Sequence, residues 1–329
     1  MTAPRLLAAL MTALLLALLA SLLLGSTALQ LPRLLAALTF SGNPADQLVI
    51  WQIRLPRALC AALVGAALGA SGAALQGLLR NPLAEPGVLG VSATAALGAL
   101  LALYLGLVNL TPWALPLAAI AGALLATVII AFAALYTRSV VTLILVGVGL
   151  SSFAGALTSL LINLAHSPFT LADMVNWMLG TVANRSYLDM AFAMPFLVVG
   201  ALILAACRRG LSALVLGEES AAALGLNIRR QRLLVVLGAG MATGAAVALA
   251  GSIGFVGIVA PHLVRPWVGH DPGRSLLPAA LLGALILLLA DMGVRLLPTG
   301  SELRLGVVAA LIGAPVFIHI ALRRRPLGA

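Results

Sequence analysis

GLLRNPLAEPGVLG runs from Gly77 to Gly90 and sets one arginine, one glutamate and two prolines between long apolar stretches. A proline inside a helix removes a hydrogen bond and clashes with the preceding turn, so Asn81-Pro82 and Glu85-Pro86-Gly87 stop one helix and open the next. The stretch predicts a corner built from Arg80, Asn81, Pro82, Glu85, Pro86 and Gly87. What flanks it decides the fold. ALCAALVGAALGASGAALQGLL precedes it from Ala58, and VLGVSATAALGALLALYLGLV follows from Val88, each apolar over about 20 residues, the length that crosses a bilayer as helix.

The same alternation repeats along all 329 residues, 62% of them hydrophobic and 9% charged, with a mean hydropathy of +1.15. No soluble domain has that balance. About ten apolar runs are long enough to matter, at 6–26, 57–79, 88–106, 113–136, 140–164, 187–207, 231–251, 253–268, 275–297 and 305–322. The sequence thus predicts an all-α polytopic membrane protein, one transmembrane domain over 1–329. The eighth run is short and follows the seventh with hardly a loop, which predicts a re-entrant or broken helix. The first begins like a secretory signal, but its apolar part exceeds the usual ~7–15 residues and is read as a helix.

Three stretches lie outside these spans. LPRLLAALTFSGNPADQLVIWQI, from Leu31, is amphipathic enough to rest on the membrane surface. HSPFTLADMVNWMLG predicts a short helix opening at Pro168 and Thr170 and closing at Gly180. CRRGLSALVLGEESAAALGLNIRRQR, from Cys207, places acids between two basic clusters and predicts short helices at a membrane face.

All 19 basic residues are arginine, and there is no lysine for a phosphate-cradling G-x-x-x-x-G-K-[ST] loop. With a cytoplasmic N-terminus, thirteen arginines fall inside (Arg5, Arg80, Arg138, Arg208, Arg209, Arg229, Arg230, Arg232, Arg265, Arg274 and Arg323 to Arg325) and six outside. That positive-inside bias puts both termini in the cytoplasm. The net charge of +10 reports membrane orientation, not nucleic-acid binding. Cys60 and Cys207 show no metal spacing, and neither do His166, His262, His270 and His319, so no metal or cofactor is expected in this chain. Asp291, costly in lipid, has Arg295 one turn later as its partner.

WQIRLPRALCAALVGAALGASGAALQGLLRNPLAEPGVLGVSATAALGA, from Trp51, resembles a signature of the permeases that import iron siderophores, haem and cobalamin through bacterial ATP-binding-cassette importers. ALAGSIGFVGIVAPHLVRPWVGHDPGRSLLPAALLGALILLLADMGVR resembles that family's second signature, and SELRLGVVAALIGAPVFIHIAL its closing helix. The resemblance implies ten helices per subunit in the bacterial inner membrane, a homodimer with the conduit between its copies, two separate ATPases holding ATP and Mg, and a periplasmic substrate-binding protein. It implies ATPase coupling through a segment at about 208–228, at Leu216, Gly217, Glu218, Glu219, Ser220, Ala221, Leu224 and Gly225. It implies binding-protein docking at Arg54, Arg57 and Arg295, against snorkelling to lipid headgroups for all three and, for Arg295, pairing with Asp291. Arg33 and Arg185 match nothing and are read as headgroup contacts. The cytoplasmic gate falls at Val140 and Val141, where some members carry a polar pair. Arg304 stands where the family usually has proline, and Glu302 is its expected partner.

An iron siderophore or haem is the expected cargo, with cobalamin as the alternative. A self-contained secondary transporter would need ionisable groups at the bilayer centre, and an embedded enzyme would need paired catalytic side chains. Apart from Asp291, neither pattern stands out.

Overall fold

The computed structural model describes residues 3–25, 29–137, 139–297 and 302–322. Arg138 and Arg323 to Arg325, counted above toward the inner face, lie outside them, as does the side chain of His319. Among the described residues the fold is entirely helical: α1 (Ala3–Leu23), α2 (Leu31–Leu38), α3 (Pro44–Leu48), α4 (Leu55–Leu79), α5 (Val91–Tyr104), α6 (Ala114–Tyr136), α7 (Val140–Asn163), α8 (Pro168–Met178), α9 (Tyr187–Ala206), α10 (Arg208–Ala213), α11 (Glu218–Ala223), α12 (Ile228–Ala250), α13 (Val256–Val264), α14 (Pro272–Leu296) and α15 (Leu305–Leu322). Seven of the helical stretches are long and apolar enough to cross a membrane, and α5 and α15 are shorter apolar helices. Helices are the only open-ended solution in lipid, where every backbone N–H and C=O must be paired within the chain.

Polar caps mark the ends. Ser139, Ser167 and Asn227 accept the N–H groups of Thr142, Thr170 and Arg230. Ser186 and Asp189 form a reciprocal capping box on α9, and Asp271 accepts from Gly273 and Arg274 at the start of α14. Buried residues make up 78% of the apolar window of α12 and 72% of that running into α4, against 17% for α7, so α4 and α12 are interior pillars and α7 faces outward. Around α4 pack α12, α13 and α14; α5 and α6 pair beside α12, and α1 rests on α14.

Glycine sets the closest crossings. A Cβ on Gly65 would collide with Gly283 O, one on Gly69 with Ala279 O and one on Gly72 with Gly257 O. The small-residue face of α4 is therefore filled within this one chain.

The expected broken helix is present. After α12 the chain leaves helical geometry at Gly251, crosses a non-helical stretch and resumes at Val256, Phe255 taking a left-handed φ of 66°. The surface segment folds as α2, α3 and a π turn leading into α4. Arg33, read from sequence as a headgroup contact, instead grips Asp46 with two parallel hydrogen bonds of 2.9 and 2.7 Å.

Candidate functional site

At the outer end, two arginines converge on one carboxylate, and a third, Arg54, is anchored beside them. Asp291 is wholly buried on α14, and its Oδ1 accepts from Arg57 Nε at 2.9 Å and Arg57 Nη2 at 2.7 Å. Arg295 Nε lies 3.1 Å from Asp291 Oδ2, and its other nitrogens donate to Ser21 O, Ser21 Oγ and Leu24 O at the end of α1. Arg54 donates to Leu22 O and Leu23 O at 2.7 and 2.9 Å. This cluster thus fastens α1, α4 and α14 together. Arg57 also pairs with Glu302, whose side chain is 41% exposed.

The three expected docking arginines are therefore brought together, but their side chains are turned inward: Arg57 and Arg295 are 11% and 9% exposed, and Arg54 is buried. Asp291 takes both Arg295 and, unforeseen from sequence, Arg57. Glu302 does not pair with Arg304, which instead donates to Asn176 Oδ1 on α8 at 2.8 Å. Arg57 stands 245 positions before Glu302, a separation that local spacing rules cannot bridge.

At the inner end, α10 and α11 form the short-helix projection. Gly217 and Gly225 bracket α11 with φ of 103° and 88°, conformations that side chains resist. Leu226 N and Gly225 N turn back onto Ala221 O and Ala222 O, a helix-closing pattern. Ala221 is buried, and Leu216 and Leu224 stand 63% and 69% exposed on either side.

Glu218 faces inward. Both its carboxylate oxygens accept from Arg232 Nη2 at 2.7 Å, and Arg232 Nη1 donates to Thr137 O at 3.3 Å. Arg232, 3% exposed on α12, thus ties α11 to the end of α6, immediately before the α6–α7 link. Sequence reading passed over it as one member of a basic cluster; a buried arginine is visible only in three dimensions. Just after that link, at the start of α7, Val140 packs on the core while Val141 is 63% exposed, so the two valines differ in surroundings.

The corner separates into two parts. Arg80 ends α4 in left-handed geometry, and Asn81 Oδ1 accepts Leu83 N at 3.0 Å, making the turn itself. Glu85, Pro86 and Gly87 then climb back inward. Glu85 Oε2 accepts Phe255 N at 3.3 Å, at the start of α13. Gly257, against which Glu85 and Pro86 pack, meets Leu68 O. Leu68 is eleven residues short of the inner end of α4, roughly 16 Å at 1.5 Å per residue. Arg80 and Pro82 line an inner cleft with Arg265 and His270, whereas Glu85 to Gly87 share a small cavity with Ser92 and Ser252.

No group of three or more metal-ligating side chains occurs among the described residues. His166 rests against Tyr104 with ring centroids 4.5 Å apart. Burial pushes the Cys207 thiol, just beyond α9, up to about 11, leaving it protonated and unreactive near neutral pH.

An all-helical body of this kind, with a carboxylate–arginine clamp at one end and a short-helix projection at the other, is built as a membrane permease. The chain belongs to the FecCD transport family, whose profile matches residues 13–323. It is 45% identical over 280 residues to the vitamin B12 import system permease protein BtuC of Citrobacter koseri, covering 85% of this chain and 84% of that one. It is 41% identical over 290 residues to the uncharacterized ABC transporter permease protein YvrB of Bacillus subtilis, covering 86% and 81%. A solved structure of a transporter assigned provisionally to the metal-chelate type of ABC transporter, in an inward-facing conformation, superposes with a TM-score of 0.88 at 33% identity, over 98% of this chain and 100% of that one. The chain is accordingly an ABC importer permease of the FecCD/BtuC type, a multi-pass transporter component that works with ATPase and substrate-binding partners.

Proposed function

We propose that this chain, as a homodimer in a bacterial inner membrane, conducts a metal chelate from periplasm to cytoplasm, driven by two separate ATPases that supply ATP and Mg. A corrinoid is the first cargo, ahead of a siderophore or haem. This reverses the order expected from sequence, on the strength of the 45% identity to a vitamin B12 permease. The second reading keeps the support of GHDPGRSLLP, from Gly269, and of the metal-chelate type neighbour. The outward faces of α7 and α15, with Leu145, Phe153 and Leu311 exposed, suit a second copy.

The observation that carries the ATPase-driven reading is the Glu218–Arg232–Thr137 chain. Glu218, Glu219, Ser220 and Ala221 of α11 with Leu216, Gly217, Leu224 and Gly225 on its flanks form the coupling surface, and Arg232 passes its displacement to the α6–α7 link and the gate at Val140 and Val141. The test is uptake by proteoliposomes holding the permease, its ATPase and its binding protein, supplied with cyanocobalamin, a ferric hydroxamate siderophore or haem. Cyanocobalamin is expected to accumulate. Glu218→Gln is expected to lower uptake per ATP about tenfold, a typical coupling loss, with Glu218→Arg/Arg232→Glu recovering part of it. Uptake of siderophore alone would replace the corrinoid, and unchanged stoichiometry in E218Q would remove the relay.

Docking of the binding protein uses the outer clamp. Glu302 shares Arg57 Nη2 with Asp291 in the isolated permease, and a carboxylate of the binding protein takes the place of Glu302; Arg54 and Arg295 brace the site against α1. Glu302→Gln is therefore expected to tighten binding-protein affinity several-fold at low salt and to steepen its salt dependence. Surface plasmon resonance reads both, and an unaltered affinity would move docking away from Arg57.

A further inference from the structure

On the side of the molecule formed by α1, α9 and α14, a cleft of about 760 Å³ opens beside α4. Ligand-sized clefts fall between roughly 300 and 1,000 Å³. Leu7, Val198, Leu202, Leu277 and Pro278 make its walls, and Ala70 of α4 contributes to its lining. Ala201, Ala205 and Ala280 leave the width open by being small. Water gains nothing in such a lining, whereas a hydrocarbon chain fits it.

The inner end of the cleft differs in kind. Arg208, the first residue of α10, and Arg274, near the start of α14, both line it. They flank a tight crossing, since a Cβ on Gly273 would collide with Arg208 O. Arg208 enters no ion pair among the described residues, and Arg274 has only a loose 3.4 Å approach from its Nε to Asp271 Oδ2, its side chain being 67% exposed. Asp271 is engaged elsewhere, its Oδ1 accepting from Ser212 Oγ at 2.6 Å and from Gly273 N at 2.8 Å. Arg5 is exposed on α1 two residues before Leu7. The positive-inside bias puts this rim at the level of the inner-leaflet headgroups.

We propose that this cleft is a binding site for an anionic phospholipid of the inner leaflet, its acyl chain along α9 and α14 and its phosphate on Arg208 and Arg274. An apolar slot ending in two arginines matches a phospholipid in both parts, and a basic pocket between spanning helices on the cytoplasmic side is where anionic headgroups collect. The guanidinium fork suits phosphate oxygens better than a point charge does. No residue of α7 or α15, the helices proposed to face a second copy, lines the cleft.

The full-length permease is reconstituted in nanodiscs of phosphatidylethanolamine with a minor share of phosphatidylglycerol, and retained lipid is counted by native mass spectrometry. Phosphatidylglycerol is expected to be enriched about tenfold over phosphatidylethanolamine, and high salt to reduce that enrichment. Arg208→Gln/Arg274→Gln should bring it near parity, and Ala205→Trp, which fills the slot with both charges in place, should expel the lipid. Glycerol 3-phosphate, which has the headgroup phosphate without the chain, should fail to displace it. Parity in the unaltered protein, enrichment that survives the double substitution, or full displacement by glycerol 3-phosphate would each overturn the proposal. The first of these needs no variant to fold.

Discussion

Replacing Asp291 with asparagine is expected to destabilise the protein by about 3–5 kcal/mol, the usual cost of removing one partner from a buried ion pair. Asp291 is the common acceptor for Arg57 and Arg295, and its side chain is 1% exposed. Without the carboxylate charge, two guanidiniums remain at the outer end of α4 and α14 with Glu302 as the remaining carboxylate. Arg295 still has Ser21 and Leu24 as acceptors, so Arg57 suffers more. Adding Arg57→Gln to Asp291→Asn should therefore recover a good part of the loss, the sign of a direct pair in a double-mutant cycle. Thermal unfolding in detergent measures both. A loss under about 1 kcal/mol, typical of an exposed pair, would show that the cluster is solvated.

Gly65→Leu is expected to do comparable damage by another route. The α4–α14 crossing puts Gly65 against Gly283 O and Gly283 against Gly65 O, so a side chain on either must push two spanning helices apart. Overpacking a core costs roughly 1–3 kcal/mol when side chains can yield. Here the obstacle is backbone, which places Gly65→Leu at or above the upper end. Gly293→Ala on α14 supplies the contrast, because a Cβ there meets nothing within 4 Å and alanine favours a helix interior over glycine by about 0.5–1 kcal/mol. Yield of monodisperse protein and melting temperature should fall sharply for the first and stay level for the second. Equal behaviour would mean that the crossing is looser than drawn.

Much of the fold was legible because lipid leaves the chain few options. Apolar runs of bilayer length had to be helices, and the prolines at 82 and 86 had to end one. The short run after Gly251 could be recognised as broken from its length and from the near absence of a loop before it. The site was legible in part. Asp291 and Arg295, four apart on a helix, meet by local geometry, whereas Arg57 reaches Asp291 across 234 positions and nothing in its neighbourhood announces that. Glu85 looked like a turn residue because periodicity cannot distinguish a loop that stays at the surface from one that climbs inward. Arg232 was concealed for a related reason: basic residues at an inner membrane edge are read as headgroup contacts, and its burial depends on how α11 folds against α12.

The interruption between α12 and α13 bears on how tightly the molecule seals. Nine residues of α13 reach only about 14 Å at 1.5 Å per residue, half the hydrocarbon depth, and non-helical backbone covers part of the rest. That backbone is covered on one side: Thr181 N donates to Ala250 O at 2.7 Å, and Gly180 and Gly306 pack so close to Ser252 O that a Cβ on either would collide with it. The cover is partial, since Ser252 stays exposed and lines the small cavity with Glu85 and Ser92. The interruption is thus held from the side of Gly180 and Gly306 and borders open space on the side of Glu85.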